Sequence, residues 1–235
     1  MTGDAPLAAS HEPVRAVVFD LDDTLYDCAG QCVGPAHREA AKAMVEAGAH
    51  ATVEEVLEAR LALSGIHVLD LDDAVAASFR STQPVKVAEA GRRAFYERDP
   101  GPLVPYPFAA EVLSRVRSAV PAVLLTLGHP PSQRKKIEAL GLLNAFDEIL
   151  LEDVLSRGGK EEALRKFLER SGHPAAAVLV VGDRVDAEIA AATRIGMQAL
   201  RVHGGEFASR PTPPGGPDAA DVRGVLPYLG LPPLT

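Results

Sequence analysis

Four largely apolar runs, each ending at polar residues, most constrain the fold of this 235-residue chain. They cover residues 14–19, 120–125, 146–151 and 177–181, and they are followed by Asp20, Thr126, the pair Glu152-Asp153 and the pair Gly182-Asp183. The runs are rich in Val, Ile, Leu and Ala and lack a regular polar alternation, which is typical of strands buried on both faces. A fifth run, residues 197–202, has the same character. We therefore expect a buried β-sheet.

Helical patterns separate these runs and indicate how the strands are connected. Residues 132–140, 161–170 and 186–195 have helical periodicity, and a glycine follows each of them at position 141, 172 or 196, as is common where helices end. Strands that alternate with helices predict an α/β fold with a doubly wound parallel sheet. In such sheets the ligand lies beyond the carboxyl ends of the strands. The polar residues that end the runs should therefore converge on one site.

The stretch between the first run and the rest of the sheet contains only helical patterns. Thr52 and Glu55 predict a capping box at the start of one helix, and Asp72 or Asp73 could cap another. Prolines 100, 102, 105 and 107 form a stiff boundary where the chain returns to the sheet. We predict an α/β core of residues 14–27 plus 105–222, an inserted all-α domain of residues 28–104 and an N-terminal arm of residues 1–13.

Charge and cysteine content indicate which binding partners and which cellular compartment to expect. The formal net charge is −8, which disfavours a nucleic acid or an anionic membrane surface as the main partner. The first 13 residues lack the features of a secretory signal, and no apolar stretch is long enough to span a bilayer. Two cysteines do not form a disulfide framework. These features predict a cytoplasmic protein with no nucleic-acid or membrane partner.

The motif after the first run is Phe19-Asp20-Leu21-Asp22-Asp23-Thr24. It resembles the Asp-x-Asp-x-Thr signature of the haloacid dehalogenase superfamily. The resemblance implies that Asp20 is a nucleophile that becomes an aspartyl phosphate, and that Asp22 acts as general acid and then as general base. Two close carboxylates rarely ionise together, so the pair can hold one proton between them. Taken alone, an acidic turn of this kind also occurs as a helix cap.

Two further motifs follow in the order that the superfamily has. By resemblance, Thr126 donates a hydrogen bond to a phosphoryl oxygen, and Lys160 offsets the negative charge of Asp20 and of the phosphoryl group. Lys135, Lys136 and Lys166 lie within helical patterns and fit this position less well. The chain departs from frequent family forms at Leu127 and Glu161.

The fourth motif begins at Gly182-Asp183 and extends to Glu188. Magnesium prefers hard oxygen ligands in near-octahedral geometry. By resemblance, the carboxylates of Asp20 and Asp183 and the backbone carbonyl of Asp22 bind Mg²⁺. Either Asp186 or Glu188 supports the metal, and Asp186 could instead be a helix N-cap.

The resemblance covers residues 14–27 and 105–203, and it implies a phosphatase. We expect a magnesium-dependent hydrolase of a small phosphorylated metabolite, with the helical insertion as a cap that closes over the site. The opening motif is similar to that of phosphoglycolate phosphatases and 5′-nucleotidases. A phosphomutase of the same fold, or a catalytically weak binding or regulatory relative, remains an alternative. Asp22 disfavours a dehalogenase, because those enzymes lack the second aspartate.

Some residues carry no assigned role at this point. A second acidic sequence, residues 68–74, imitates the first motif but lacks the threonine, and we interpret it as a helix cap. Cys28 and Cys32 are expected to be reduced and to pack as small apolar residues, while the roles of His129 and Arg184 stay open. Candidates for substrate specificity in the insertion are Lys42, His67, Arg80, Arg92, Arg93 and Tyr96. The oligomeric state is left open as well.

Overall fold

A computed structural model describes residues 12–63, 68–154, 159–212 and 216–234. The described residues form a six-stranded parallel sheet with the strand order β3-β2-β1-β4-β5-β6. The strands are β1 (Ala16–Phe19), β2 (Ala122–Gly128), β3 (Glu148–Asp153), β4 (Val178–Gly182), β5 (Gln198–Val202) and β6 (Asp218–Ala219). The order reverses direction between β1 and β4, which makes this a doubly wound sheet with its ligand crevice at that point. The predicted fold class is confirmed.

Both faces of the sheet are covered, which explains the apolar runs of the sequence. Val17 and Phe19 of β1 pack into one hydrophobic cluster, while Ala16 and Val18 pack into another. The first cluster is covered by helices α5 (Ala109–Ala119) and α6 (Pro130–Ala139) and by the 3₁₀ helix Val222–Leu229. The second is covered by α7 (Gly159–Ser171) and α8 (Ala190–Arg194). Side chains on both faces of each central strand are therefore buried.

The insertion is helical, as the sequence predicts. A π-helix (Ala29–Val33) leads into α1 (Gly34–Glu46), α2 (Val53–Ala62), α3 (Val68–Ala77) and α4 (Pro84–Glu97). These helices have a hydrophobic cluster of their own, which includes Met44, Val56 and Val87. The predicted capping box is present, since the Glu55 amide donates to Thr52 Oγ1 at 3.2 Å and the Thr52 amide donates to Glu55 Oε2 at 2.8 Å.

The two connections between the insertion and the sheet run side by side. Tyr26 forms an antiparallel bridge with Pro105, and the Tyr106 amide donates to the Leu25 carbonyl at 2.8 Å. This pairing agrees with the predicted change of domain near residues 27 and 105, although the domain limits remain a prediction. Nearly all of the predicted N-terminal arm lies outside the described residues.

The predicted helix cap at Asp72 or Asp73, and with it the interpretation of residues 68–74 as a cap, is wrong. Helix α3 begins at Val68, so both aspartates lie inside it. Asp72 is buried and forms an ion pair with the equally buried Arg60 of α2. A buried carboxylate needs such a partner, so Asp72 joins two helices of the insertion instead of starting one.

Several element boundaries also differ from the prediction. Strand β2 continues to Gly128, so Thr126 lies within the strand and not beyond it. Strand β3 begins at Glu148, and the Asp147 side chain just before it accepts from the Ala122 amide at 2.9 Å. The segment after Asp183 is a π-helix (Val185–Ile189) that continues as α8. Within the described part of the chain, no helix has the length and apolar character needed to cross a membrane.

Candidate active site

The switch point of the sheet brings the key residues of three of the four sequence motifs together at one cleft. Asp20 directly follows β1 and Asp183 directly follows β4, the two strands that flank the reversal. Lys160 is the second residue of α7. These three residues line a cleft of about 870 Å³, whose opposite wall comes from the insertion and includes Phe95 and Tyr96. The predicted convergence of Asp20, Lys160 and Asp183 is therefore observed.

We use the name acidic cluster for Asp20, Asp183 and Glu188. One carboxylate oxygen from each of them lies within 4.8 Å of the others, and all three side chains are buried. Lys160 is the cation that faces this cluster. Its ammonium donates to Asp20 Oδ1 at 2.6 Å and also to Glu188 Oε1. Two of the three carboxylates thus pair with one ammonium group, in a site with little access to solvent.

The electrostatics of the acidic cluster disfavour its charged form. Burial raises the pKa of Asp20 to about 7, against the lowering effect of Lys160, and the charge of Glu188 raises it further. Burial also raises the pKa of Asp183 to about 8, and the negative charges of Asp20 and Glu188 add to the shift. Burial alone would lower the pKa of Lys160, but the two neighbouring carboxylates raise it. The cluster lacks positive charge.

The donor set of the acidic cluster fits a hard divalent cation. All ligand atoms are carboxylate oxygens, which Mg²⁺ prefers. Asp183 Oδ2 is buried and has no hydrogen-bond partner among the described residues, although buried polar atoms are normally paired. An oxygen atom in that state is a ready metal ligand. The geometry of the cluster is therefore compatible with the predicted magnesium site.

The structure separates the two candidates for metal support, Asp186 and Glu188. Glu188 is 3% exposed and belongs to the acidic cluster. Asp186 is exposed and accepts from the Arg184 guanidinium at 3.1 and 3.2 Å. The residue at the N-cap of the π-helix is Arg184, so the suggested N-cap role of Asp186 is wrong. The geometry favours Glu188.

Asp22 lies in a separate group of side chains that we call the Asp22 network: Asp22, Tyr26, Thr126, Gln133 and Lys136. The Lys136 ammonium donates to both carboxylate oxygens of Asp22 at 3.0 Å. The Tyr26 hydroxyl donates at 2.7 Å and the Gln133 amide at 2.9 Å. Burial would raise the pKa of Asp22, but Lys136 and the hydrogen bonds lower it to about 2. The negative charge of Asp22 is therefore stabilised by hydrogen-bond donors of the protein in place of water.

Thr126 is 1% exposed and is connected to Asp22 through Gln133. Its Oγ1 atom accepts a hydrogen bond from Gln133 Nε2, the same nitrogen that donates to Asp22. Thr126 does not belong to the lining of the cleft in this structure, whereas Gln133 does. The predicted contact between Thr126 and a phosphoryl oxygen stays a prediction.

The loop after β5 packs against the first motif at Asp23. Asp23 has a φ of 58°, which is unusual for a residue other than glycine, and its side chain accepts from the Ala29 amide at 3.0 Å. A Cβ atom on Gly204 would lie 1.8 Å from the Asp23 carbonyl oxygen. Glycine is therefore required at position 204 for the loop to pack against the motif that carries Asp20 and Asp22.

Comparison with known proteins agrees with this geometry. A sequence model of the haloacid dehalogenase-like hydrolase family matches residues 14–196. The chain belongs to this family. A curated relative from Methanocaldococcus jannaschii, named glyceraldehyde 3-phosphate phosphatase, is 29% identical over 203 residues, which cover 83% of this chain and 87% of the relative. A relative with the same name from Methanopyrus kandleri is 28% identical, with 83% and 86% of the two chains covered.

The fold of this hydrolase is also found among solved structures. A haloacid dehalogenase-like family hydrolase from Streptococcus pneumoniae superposes with a TM-score of 0.64 at 18% identity, covering 92% of this chain and 98% of that chain. At this identity the likeness shows the fold alone. The resemblance to the haloacid dehalogenase superfamily, predicted from four short motifs, is confirmed.

Two residues of the hydrolase site were missed by sequence reasoning, Gln133 and Lys136. Lys136 was judged to fit less well than Lys160 because it lies within a helical pattern, yet both lysines contact a motif aspartate. The signal was present in α6. Gln133, Lys136, Ile137 and Leu140 are spaced as one helix face, and this face packs inward. Polar residues on an inward face indicate a polar partner.

The residues left open by the sequence fall around the cleft. Cys28 and Cys32 are buried free thiols in its wall, and Tyr26 donates to Cys32 Sγ at 3.6 Å. His129 lies in the lining, with its Nδ1 atom 2.9 Å from Ser132 Oγ. Arg184 is over the Phe207 ring at 4.9 Å.

Among the specificity candidates of the insertion, Tyr96 lines the cleft. Arg92 forms an ion pair with Asp73, Arg93 with Glu97 and Lys42 with Glu39. His67 lies outside the described residues. Among these candidates, the observations favour Tyr96 over Lys42, Arg92 and Arg93 as a contact that the insertion offers to a substrate.

Proposed function

We propose that this hydrolase is a magnesium-dependent phosphomonoesterase that acts on a small phosphorylated metabolite through an aspartyl phosphate on Asp20. The single observation that carries the proposal is the separation of Asp20 and Asp22. Asp20 belongs to the metal-compatible acidic cluster, while the side chain of Asp22 belongs to a network of hydrogen-bond donors. A phosphomonoesterase needs these two different roles from its two carboxylates. A dehalogenase needs only the nucleophile.

In the first step, the Asp20 carboxylate attacks phosphorus and the bond to the leaving oxygen breaks. Asp22 gives a proton to that oxygen, and Lys160 offsets the charge of the phosphoryl oxygens. Asp22 must be protonated for this step, although its pKa is about 2 in the free protein. A bound phosphoryl group brings negative charge next to Asp22 and so raises its pKa.

In the second step, Asp22 takes a proton from water, and that water attacks phosphorus. The bond between phosphorus and Asp20 breaks, which releases inorganic phosphate and restores the carboxylate. Bound Mg²⁺, held by Asp20, Asp183 and the Asp22 carbonyl and supported by Glu188, would supply the positive charge that the acidic cluster lacks and orient the phosphoryl group. Thr126 donates to a phosphoryl oxygen, as the family resemblance implies.

The substrate is proposed to be a small phosphate ester, and the relatives make glyceraldehyde 3-phosphate the first compound to test. The cleft is lined by Arg98, Arg184 and Arg210 beyond the reacting groups. Cations at these positions favour an anionic substrate.

The experiment is release of phosphate from p-nitrophenyl phosphate with and without Mg²⁺, for wild type and Asp20→Asn. The matched control is Asp70→Asn, since Asp70 opens the imitation motif and lies exposed on α3. We expect wild type and Asp70→Asn to need Mg²⁺ equally, and Asp20→Asn to lose at least about 10³-fold in kcat, as removal of a nucleophile does. Activity retained by Asp20→Asn would contradict the proposal.

A substrate panel then separates the remaining alternatives. It contains glyceraldehyde 3-phosphate, phosphoglycolate, a nucleoside monophosphate and glucose 6-phosphate. Release of free phosphate supports the hydrolase. Conversion of a sugar phosphate into its isomer without free phosphate would identify a phosphomutase instead. Magnesium binding without turnover of any compound would identify a non-catalytic relative.

A further inference from the structure

Gln133 is hydrogen-bonded to two residues that the proposed function assigns to different oxygens of one phosphoryl group. It lies on the inward face of α6 and is 2% exposed. Its Nε2 atom donates to Asp22 Oδ2 at 2.9 Å and to Thr126 Oγ1. In the proposed function, Asp22 serves the leaving oxygen and Thr126 serves an oxygen that stays on phosphorus.

The orientation of the Gln133 amide follows from the chemistry of its partners. The carboxylate of Asp22 is fixed as an acceptor by the Lys136 ammonium at 3.0 Å, so the amide atom facing it must be the nitrogen. That nitrogen has two hydrogens and meets two acceptors, Asp22 Oδ2 and Thr126 Oγ1. Both donors of the amide are therefore used inside the site.

This arrangement also orders the hydroxyl of Thr126. A threonine hydroxyl has one hydrogen to donate and two lone pairs. Because its oxygen accepts from Gln133, its own hydrogen is directed away from the amide and is kept for another acceptor. A hydroxyl prepared in this way loses less rotational freedom when a phosphoryl oxygen binds.

Space for Gln133 is provided by Gly128, the last residue of β2. A Cβ atom at position 128 would lie 2.9 Å from both Cδ and Cγ of Gln133. Side chains rarely tolerate so short a contact. Alanine at position 128 would therefore displace the amide without removing it.

We propose that Gln133 is a positioning residue, which aligns the Thr126 hydroxyl with the Asp22 carboxylate across the transferred phosphoryl group. The proposal rests on the proposed function, since it needs a phosphoryl group between the two partners. Lys136 donates to Asp22 and not to Thr126, so among the residues that the structure describes Gln133 is the side chain that links Asp22 with Thr126.

The test is a double-mutant cycle of Gln133→Met and Thr126→Val, with inhibition by inorganic phosphate as the first readout. Methionine keeps the length and burial of glutamine but removes the amide. We expect Gln133→Met to weaken phosphate inhibition about 10-fold in the wild-type background, the loss of one hydrogen bond to a charged group. In the Thr126→Val background it should have no further effect. Equal effects in both backgrounds would overturn the proposal.

The second readout is the leaving group. Gln133→Met should lower kcat about 10-fold more on an alkyl phosphate than on p-nitrophenyl phosphate. The leaving oxygen of an alkyl phosphate needs a proton, whereas p-nitrophenolate leaves as an anion. An equal loss on both esters would indicate a general structural effect and would also overturn the proposal. Gly128→Ala should give the same pattern with Gln133 intact, and wild-type behaviour of this variant would contradict the packing argument.

Controls keep this test separate from that of the proposed function. Arg134→Met, on the exposed side of α6, tests whether methionine in this helix is harmful in itself, and it should leave both readouts unchanged. Thermal denaturation reports whether each variant is folded. If wild type has no magnesium-dependent phosphatase activity, the proposed function fails. If wild type is active and the cycle is additive, only the role of Gln133 fails.

Discussion

The acidic cluster and the Asp22 network are neighbours at one edge of the sheet, yet they are opposite in electrostatic character. In the acidic cluster, two of the three buried carboxylates pair with the ammonium of Lys160, and one oxygen of the third, Asp183, has no hydrogen-bond partner within the described part of the chain. In the Asp22 network, one carboxylate receives donors from Tyr26, Gln133 and Lys136. The acidic cluster lacks positive charge, whereas the carboxylate of the Asp22 network already has its hydrogen-bond donors.

This difference indicates a different role for each group. A group that lacks positive charge gains free energy when a cation binds, so the acidic cluster is where metal affinity should lie. In the Asp22 network the hydrogen-bond donors are already in place around the carboxylate before a ligand binds, and donors placed in advance need little rearrangement during a reaction. Asp20 and Asp22 are two residues apart in sequence, and the environment of each decides its role.

The largest expected effect that would sharpen this comparison is that of Asp22→Asn. We expect kcat on an alkyl phosphate to fall about 10²- to 10⁴-fold, the usual contribution of a general acid or base. The affinity for Mg²⁺ should not change, because the Asp22 side chain does not belong to the acidic cluster. Steady-state kinetics and calorimetric titration with Mg²⁺ measure the two quantities. A large loss of metal affinity would show that the two groups are not separate.

The next effect concerns the acidic cluster alone and compares Glu188→Gln with Asp186→Asn. Glu188→Gln should weaken Mg²⁺ binding about 10- to 100-fold, as loss of a carboxylate that supports a metal does. Asp186→Asn is the matched control and should bind Mg²⁺ like wild type, since Asp186 is paired with Arg184 outside the cluster. The reverse result, a loss only in Asp186→Asn, would reject the assignment from geometry.

The smallest effect is a pH dependence that only the acidic cluster should show. Asp20 and Asp183 have pKa values raised to about 7 and about 8, so both hold protons below those values. A metal must displace these protons, and its affinity should fall by about 10-fold between pH 8 and pH 7. Titrations in buffers with different ionisation enthalpies would detect the released protons. Equal affinity at both pH values would show that these carboxyls are ionised without metal.

How far the sequence predicts this site depends on which element carries each residue. Asp20 and Asp183 were predictable because each follows an apolar run, and parallel strands bring their carboxyl ends together. Glu188 was not separable from Asp186, because the segment after Asp183 is a π-helix, whose turn differs from that of the expected α-helix. Thr126 was placed at a strand end, while pairing with β3 carries β2 to Gly128.

Gln133 and Lys136 show a second limit. They belong to a helix with many charged residues, and helical periodicity puts them on the inward face without identifying the polar partner that they meet there. Their role depends on tertiary contacts with Asp22, more than 100 residues away in sequence. The same limit applies to Asp72. The sequence predicts a helix cap there, but Asp72 lies inside α3 and forms a buried ion pair with Arg60.

The most direct test of the account is to find the phosphoryl group on the enzyme. The hydrolase is mixed with substrate and Mg²⁺, quenched in acid and reduced with sodium borohydride, which converts a phosphorylated aspartate into homoserine. Peptide mass spectrometry then locates the homoserine. The account predicts homoserine at position 20 in wild type. With p-nitrophenyl phosphate, whose leaving group needs no proton, it predicts a higher amount in Asp22→Asn, where the second step lacks its base. Turnover of substrate with homoserine absent from position 20, or present at another aspartate, would contradict it.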